Sequence, residues 1–270
     1  MRLVTLVENT CGREGCTAEH GLCIYAETPR HRLLLDAGQT DALIHNAEVL
    51  GVDLSAVDTL VLSHGHYDHA GGILPFAKVN SRARIYMRAG ASEPHYNGEK
   101  YIGIDPEINS LPGLVLTEGS LRIDEELFLF GDISGRRCFP PGNRRLTKLS
   151  GGEKVPDDFS HEQCLVITEG TKRVLLSGCA HNGILNILDR FREIFGTPPE
   201  VCVTGFHLMK RDAEHTEAER ELIRETAREL SKLPTVFYSG HCTGLPAFEL
   251  MKEIMGGQLL ALHTGCVIDS

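Results

Sequence analysis

The opening third of the chain alternates short apolar runs with polar turns. Leu3 to Val7, Leu22 to Glu27 and Arg32 to Asp36 are each rich in β-formers or buried-type residues and predict three strands with short connections, as in an antiparallel meander. Thr40 to Leu50 is a polar, helix-compatible stretch that Gly51 would stop. Thr59 to Ser63 predicts a short apolar strand, Ala70 to Ala77 the start of a helix, and Arg84 to Arg88 another strand.

From about residue 91 to 160 the pattern turns Gly- and Pro-rich, with a strand-turn-strand signal around Leu114 to Phe130. A long irregular region of this kind reads as an insertion or a lid. Regular order then resumes. Strands are predicted at Cys164 to Thr168, Arg173 to Ser177 and Val201 to Thr204, with a helix from Gly183 to Phe195. Ala213 to Leu233 reads as a long charged helix whose apolar stripe is Leu222, Ile223, Ala227, Leu230 and Leu233. Strands at Thr235 to Tyr238 and Leu259 to Leu262 close the chain. Strands and helices thus fall into two comparable batches, each with hairpins before helix-strand units. The expected architecture is α/β, a four-layer αββα sandwich formed by residues 1–270 as one domain. A doubly wound parallel sheet is the alternative, but the connections at Leu22 to Asp36 and Cys164 to Ser177 are too short for parallel crossovers.

Composition narrows the function. A chain of 270 residues with 41% hydrophobic residues can build a sizeable core. Its 27 Lys and Arg against 37 Asp and Glu give a net charge of −10, which would repel polymeric DNA or RNA. Arg136, Arg137, Arg144 and Arg145 form a local basic run, read as a solvated loop that could still hold a small anion. The N-terminal apolar run is too short for a secretory signal, and no stretch reaches the roughly 18 apolar residues of a membrane span. Nine cysteines at scattered positions look unlike a disulfide framework. A soluble protein of the reducing cytoplasm is expected, with no membrane partner. Cys11, Cys16 and Cys23 match no C-x-x-C spacing and read as ordinary thiols.

The chemistry concentrates in Ser63-His64-Gly65-His66-Tyr67-Asp68-His69, directly after a predicted strand. Imidazole and carboxylate suit zinc and related divalent ions. In a tight loop His64 and His66 can chelate one ion while Asp68 and His69 reach a second, with Gly65 leaving room for the bend. Isolated histidines are usually surface or hydrogen-bonded core residues. This compact run would instead bury several imidazoles beside a carboxylate, and buried groups of that kind need partners.

Thr59-Leu60-Val61-Leu62-Ser63-His64-Gly65-His66-Tyr67-Asp68-His69-Ala70-Gly71-Gly72 resembles the signature of the metallo-β-lactamase superfamily. The resemblance implies an αββα fold with a metal site at one edge, between the sheets. Histidine rather than glutamate at position 66 favours hydrolytic zinc chemistry over redox iron. In Gly178-Cys179-Ala180-His181, Cys179 stands where the superfamily usually has a bridging aspartate, and its thiolate is a candidate ligand. His181 and His161 compete to complete the first metal, with His181 slightly ahead. His241, in Ser239-Gly240-His241-Cys242-Thr243-Gly244, matches the last ligand of the second metal, with His263 in reserve. His207 is a candidate for substrate contact. Together with His20-Gly21-Leu22 and Gly205-Phe206-His207-Leu208, these blocks resemble the branch labelled 7,8-dihydropterin-6-methyl-4-(β-D-ribofuranosyl)aminobenzene-5′-phosphate synthase.

The expected function is a metal-dependent hydrolase using a metal-bound hydroxide on a small anionic ester, phosphoester or lactone. Two divalent ions are expected, zinc first, with manganese or iron as alternatives. Asp68 would orient or deprotonate the water, and His207 or His241 would stabilise charge developing on oxygen. The competing readings are a pterin-linked ribosyl phosphate synthase at the same site, or a non-catalytic metabolite sensor.

Overall fold

The computed structural model describes residues 1–210 and 214–269. Its two seven-stranded sheets are built alike. In the first, the order is Val267–Asp269, Arg2–Val7, Cys23–Glu27, Arg32–Leu35, Thr59–Val61, Arg84–Arg88 and Leu114–Thr117. The first three pairings are antiparallel and the last three parallel. The second sheet runs Leu121–Arg122, Leu127–Phe130, Cys164–Glu169, Lys172–Leu176, Val201–Val203, Val236–Ser239 and Leu259–Ala261, again antiparallel for three pairings and then parallel for three. The two batches of elements seen in the sequence are these two halves.

Alternation along the strands sorts the core into layers. Leu33 and Leu35 face the second sheet, where Val174 and Leu176 meet them, whereas Leu34 and Leu175 turn outward to the helices. The helices Ala42–Leu50 and Ile73–Val79 cover the first sheet, and Ile184–Phe195, Glu217–Leu230 and Leu245–Met255 cover the second. This is the expected αββα sandwich. Gly51 ends the first helix with φ 67°, and a Thr216/Glu219 capping box opens the charged helix. The expected start of that helix, Ala213, lies outside the described residues.

Several element expectations need correction. The helix expected at Ala70 to Ala77 is two pieces, Tyr67–Ala70 and Ile73–Val79. They part at Gly71-Gly72, where a Cβ on either glycine would come within about 2.1 Å of the Gln39 or Ala37 carbonyl oxygen. The strand-turn-strand around Leu114 to Phe130 is divided between sheets: Leu114–Thr117 closes the first, and the hairpin Leu121–Arg122 with Leu127–Phe130 opens the second. The helix Leu245–Met255 carried no signal strong enough to read, and Leu259–Ala261 does not close the chain. Val267–Asp269 returns to pair with Arg2, Leu3 and Val4, a strand too short to show periodicity. Elsewhere within 91–160, His95–Asn97, Lys100–Tyr101, Leu146–Ser150 and Glu153–Pro156 form a small antiparallel sheet. Among the described residues no helix is long and apolar enough to cross a membrane.

An ionic clamp at His31 is among the ion pairs that span the two halves. His31 Nδ1 lies 2.8 Å from Asp58 and its Nε2 2.7 Å from Asp124, which sits in the hairpin of the other sheet. Burial pushes the His31 pKa down, but the two carboxylate hydrogen bonds more than offset this and raise it above its ordinary 6.5. A raised folded-state pKa gives stability that is fully present below the unfolded value and is lost as pH climbs through the folded one. His31→Gln is therefore expected to cost about 0.5–1 kcal/mol more at pH 5.5 than at pH 9, discounted for partial exposure. Urea denaturation at both pH values checks it, and a gap independent of pH would refute the clamp.

Candidate metal centre

The strand Thr59–Val61 delivers Ser63, His64, His66 and His69 into the interior at one end of the sheets, all buried. Their orientation is set by Asp36, fully buried at the end of the preceding strand. Its carboxylate accepts the Ser63 N–H at 2.7 Å, the Ser63 hydroxyl at 2.8 Å and the His69 Nδ1–H at 2.6 Å. With its hydrogen given to Asp36, Ser63 Oγ accepts from His64 Nδ1 at 2.8 Å. Both rings are thereby held with Nε2 facing away from the anchor. Close packing explains two glycines: a Cβ on Gly65 would lie 2.2 Å from the Ala91 carbonyl oxygen, and one on Gly178 2.1 Å from Ser63 Oγ.

The second sheet supplies matching rings from the loops that leave its strands. His181 Nδ1 donates to Asn143 Oδ1 at 3.0 Å, while Asn143 Nδ2 donates back to the His181 carbonyl at 2.7 Å. His241 Nδ1 donates to Asn9 Oδ1 at 2.9 Å, and Glu8 takes its backbone N–H. Ala180, His207 and His241 hold left-handed φ of 51°, 50° and 47°. Such strain in non-glycine residues costs free energy and collects at functional sites.

The Nε2 atoms so presented converge. His64 Nε2 and His181 Nε2 are 3.3 Å apart, and the His66 ring centroid lies 4.6 Å from that of His64 and 4.8 Å from that of His181. His66 Nε2 is buried with no hydrogen-bond partner among the described residues. Beside this group, His69 Nε2 is 3.1 Å from His241 Nε2 and 3.2 Å from Cys179 Sγ. Asp68 Oδ2 lies 3.5 Å from His241 Nε2 and 3.2 Å from His20 Nε2. Cys179 can join His64 and His181 on one side and His69 and His241 on the other.

Electrostatics sharpen the picture. Burial, with repulsion from neighbouring imidazoles, holds His64, His66 and His181 well below the ordinary histidine pKa, so their rings are neutral with free lone pairs. Burial opposes charge on His69 too, but Asp36 overrides it and raises that ring to about 9. Burial would lift Asp68, yet hydrogen bonds from His20 and His241 keep it well below the usual carboxylate range. Burial pushes the Cys179 thiol up. The His64, His69, His181 and His241 rings, anchored through Nδ1 with Nε2 converging beside a carboxylate and a thiol, make the donor set of a borderline divalent ion with an outer shell that fixes those four rings. Unpaired buried nitrogens 3.3 Å apart are otherwise costly, so the residues present fit a metal.

Other candidates are placed differently. His161 has both nitrogens engaged, accepting from Gly65 N at 2.9 Å and donating to Asp157 at 3.3 Å. With His95, whose Nδ1 is 3.0 Å from Asp157, and with His66 it also forms a second group of donor atoms within 4.8 Å of one another. His207 packs with its ring centroid 4.1 Å from that of His181, and its backbone N–H donates to Cys242 Sγ at 3.3 Å. His263 points to the Thr264 carbonyl and joins no donor group among the described residues. Cys23 is buried in the first core while Cys11 is exposed, so the N-terminal thiols do not gather. Arg136, Arg137, Arg144 and Arg145 are exposed. Sequence reasoning missed the anchors Asp36, Asn9 and Asn143, the Asp68 contact of His20, and Cys242, a buried thiol grouped with Cys179 and His207. Asp36 had one usable signal, a carboxylate closing an apolar strand where it would be buried.

A family model described as metallo-β-lactamase superfamily matches residues 16–241. A Methanocaldococcus jannaschii protein named 7,8-dihydropterin-6-methyl-4-(β-D-ribofuranosyl)-aminobenzene-5′-phosphate synthase is 27% identical, covering 99% of this chain and 96% of its own. The crystal structure of Tm1679, described as a metal-dependent hydrolase of the β-lactamase superfamily, superposes with a TM-score of 0.85 at 31% identity, covering 100% of this chain and 99% of that one. Zinc-bound PqqB from Methylobacterium extorquens, at 12% identity and TM-score 0.61 over the full length of both chains, shares the fold.

Proposed function

The chain belongs to the metallo-β-lactamase superfamily, and we propose that it is a hydrolase that uses two bound divalent ions, zinc foremost, to open a small anionic ester, phosphoester or lactone. The observation that carries this reading is the convergence of imidazole Nε2 atoms, those of His64, His66 and His181 on neutral rings, beside Asp68 and Cys179. His64, His66 and His181 would hold one ion, and Asp68, His69 and His241 the other, with Cys179 between them in the place of the superfamily's aspartate. Ions held there supply an acidified water and polarise the electrophile. Asp68 stays ionised and orients hydrogen-bond donors, since His20 and His241 hold its pKa down. His207, whose ring packs against that of His181 with centroids 4.1 Å apart, would meet charge developing on substrate oxygen.

Metal analysis of protein purified without chelators, combined with turnover of 4-nitrophenyl esters and phosphoesters, tests the reading. About two ions per chain and turnover abolished by chelation are expected; one ion or none overturns the two-metal mechanism. Loading has a separate consequence for stability. Zinc at 100 times its Kd should stabilise the fold by about 2.7 kcal/mol, seen calorimetrically as a rise in Tm of several degrees that chelation reverses.

A second reading, group transfer on a pterin-linked ribosyl phosphate, is favoured by the full-length relation to the archaeal synthase. Consumption of a pterin precursor without hydrolysis of any ester would decide for it.

A further inference from the structure

Next to Asp68 opens a cavity of about 590 Å³, within the usual range of small-molecule sites. Its wall includes His20, which contacts Asp68, and Tyr67, which sits between His66 and Asp68 in the chain. The cavity therefore borders the candidate metal centre on its Asp68 side, through His20. Among the described residues that line it, Lys100 is the one cation. Glu19, also in the wall, is spent on structure: it accepts Gln39 N at 2.8 Å, Thr40 N at 3.0 Å and the Thr40 hydroxyl at 2.6 Å.

Lys100 is placed by design of the small sheet. Tyr67 N donates to the Ile102 carbonyl at 2.9 Å, which ties the strand Lys100–Tyr101 to the histidine loop. The Tyr67 ring packs with Ile102, Leu146 and Phe159. Lys100 Nζ then lies 4.6 Å over that ring and donates to the Tyr67 hydroxyl at 3.1 Å. One donor goes to Tyr67, and an ammonium has three. In a chain of net charge −10, the one lysine or arginine among the described residues lining a cavity beside Asp68 marks where a negative group docks.

Resting on the hydrolase reading, we propose that Lys100, carried by Tyr67, is the specificity-determining residue that captures a terminal carboxylate or phosphate of the substrate, away from the bond being broken. The scissile group would then lie beside the residues that would hold the metals, and the second anionic group on Lys100. The substrate class is accordingly a small molecule with an anion at the end opposite its labile bond.

The test compares zinc-loaded wild type with Lys100→Met, which keeps the stem and removes the charge, and with Lys100→Arg. Substrates are 4-nitrophenyl butyrate and its carboxylate-bearing counterpart, mono-4-nitrophenyl glutarate, with inorganic phosphate as a competitor. The ratio of kcat/KM for the charged ester over the neutral one should fall about tenfold in Lys100→Met, through KM, and recover in Lys100→Arg. Phosphate that competes only with the charged ester would place a phosphate at the same subsite. An unchanged ratio overturns the proposal. Should wild type cleave neither ester, the carboxylate-ester form of the hydrolase reading fails, and calorimetric binding of mono-methyl glutarate and of inorganic phosphate to the loaded protein reads the subsite alone. Affinity for either anion that drops about tenfold in Lys100→Met supports it, and equal affinities overturn it.

Discussion

Asp36→Ala is expected to lower zinc affinity by about 10–100-fold and to destabilise the metal-free chain by about 3–5 kcal/mol. The carboxylate is fully buried and makes three hydrogen bonds, to Ser63 N, Ser63 Oγ and His69 Nδ1. Its removal leaves the Ser63 N–H and the His69 Nδ1–H unsatisfied in the interior, each at about 1–3 kcal/mol. It also releases the serine hydroxyl that fixes the His64 ring. Backbone strain adds to this, because residue 36 has φ 59°, which alanine tolerates worse than aspartate or asparagine. Asp36→Asn separates the effects: it keeps the left-handed backbone and one acceptor but sets an NH₂ against a donor. It should fold with a smaller loss of stability yet still bind zinc more weakly. Urea denaturation of the apoproteins and competition with a chromophoric chelator measure the two quantities. Near-wild-type zinc affinity in both variants would remove Asp36 from the metal centre.

Why Asp36 was hard to read while its neighbours were plain is a matter of range. The strand periods and the packed histidine run are local, so the sheets, Gly51 and the residues His64 to His69 could be taken from sequence directly. The anchors are not local. Asn9 meets His241 across 232 positions, and Asn143 meets His181 across 38. Nothing near either asparagine sets it apart from an ordinary turn residue. The same holds for choosing between His161 and His181. Both follow from sequence as candidates, but only their surroundings distinguish a ring with a free nitrogen from one whose two nitrogens serve Gly65 and Asp157. The strand Val267–Asp269 was missed for a related reason, since three residues carry no period and its partner lies at the other end of the chain.

Asp68→Asn carries the other large effect, a fall in turnover by about 10²–10⁴ together with loss of roughly one of two bound ions. The carboxylate faces His20, His69 and His241, with its Oδ2 at 3.2, 4.0 and 3.5 Å from their Nε2 atoms. Hydrogen bonds from that side hold it ionised despite burial. An amide of the same shape keeps the packing but contributes no negative charge to the group it forms with His20 and His241, the last of which also belongs with His69 and Cys179. The His64, His66 and His181 group does not include this residue, so one ion should stay bound. That partition separates a ligand of the second ion from a residue that merely supports the loop, whose loss would weaken both ions alike. The measurement is metal content beside turnover of 4-nitrophenyl esters. Two ions retained with unchanged turnover would exclude Asp68 from the chemistry, and two ions retained with turnover lost would leave it the part of orienting the reacting water.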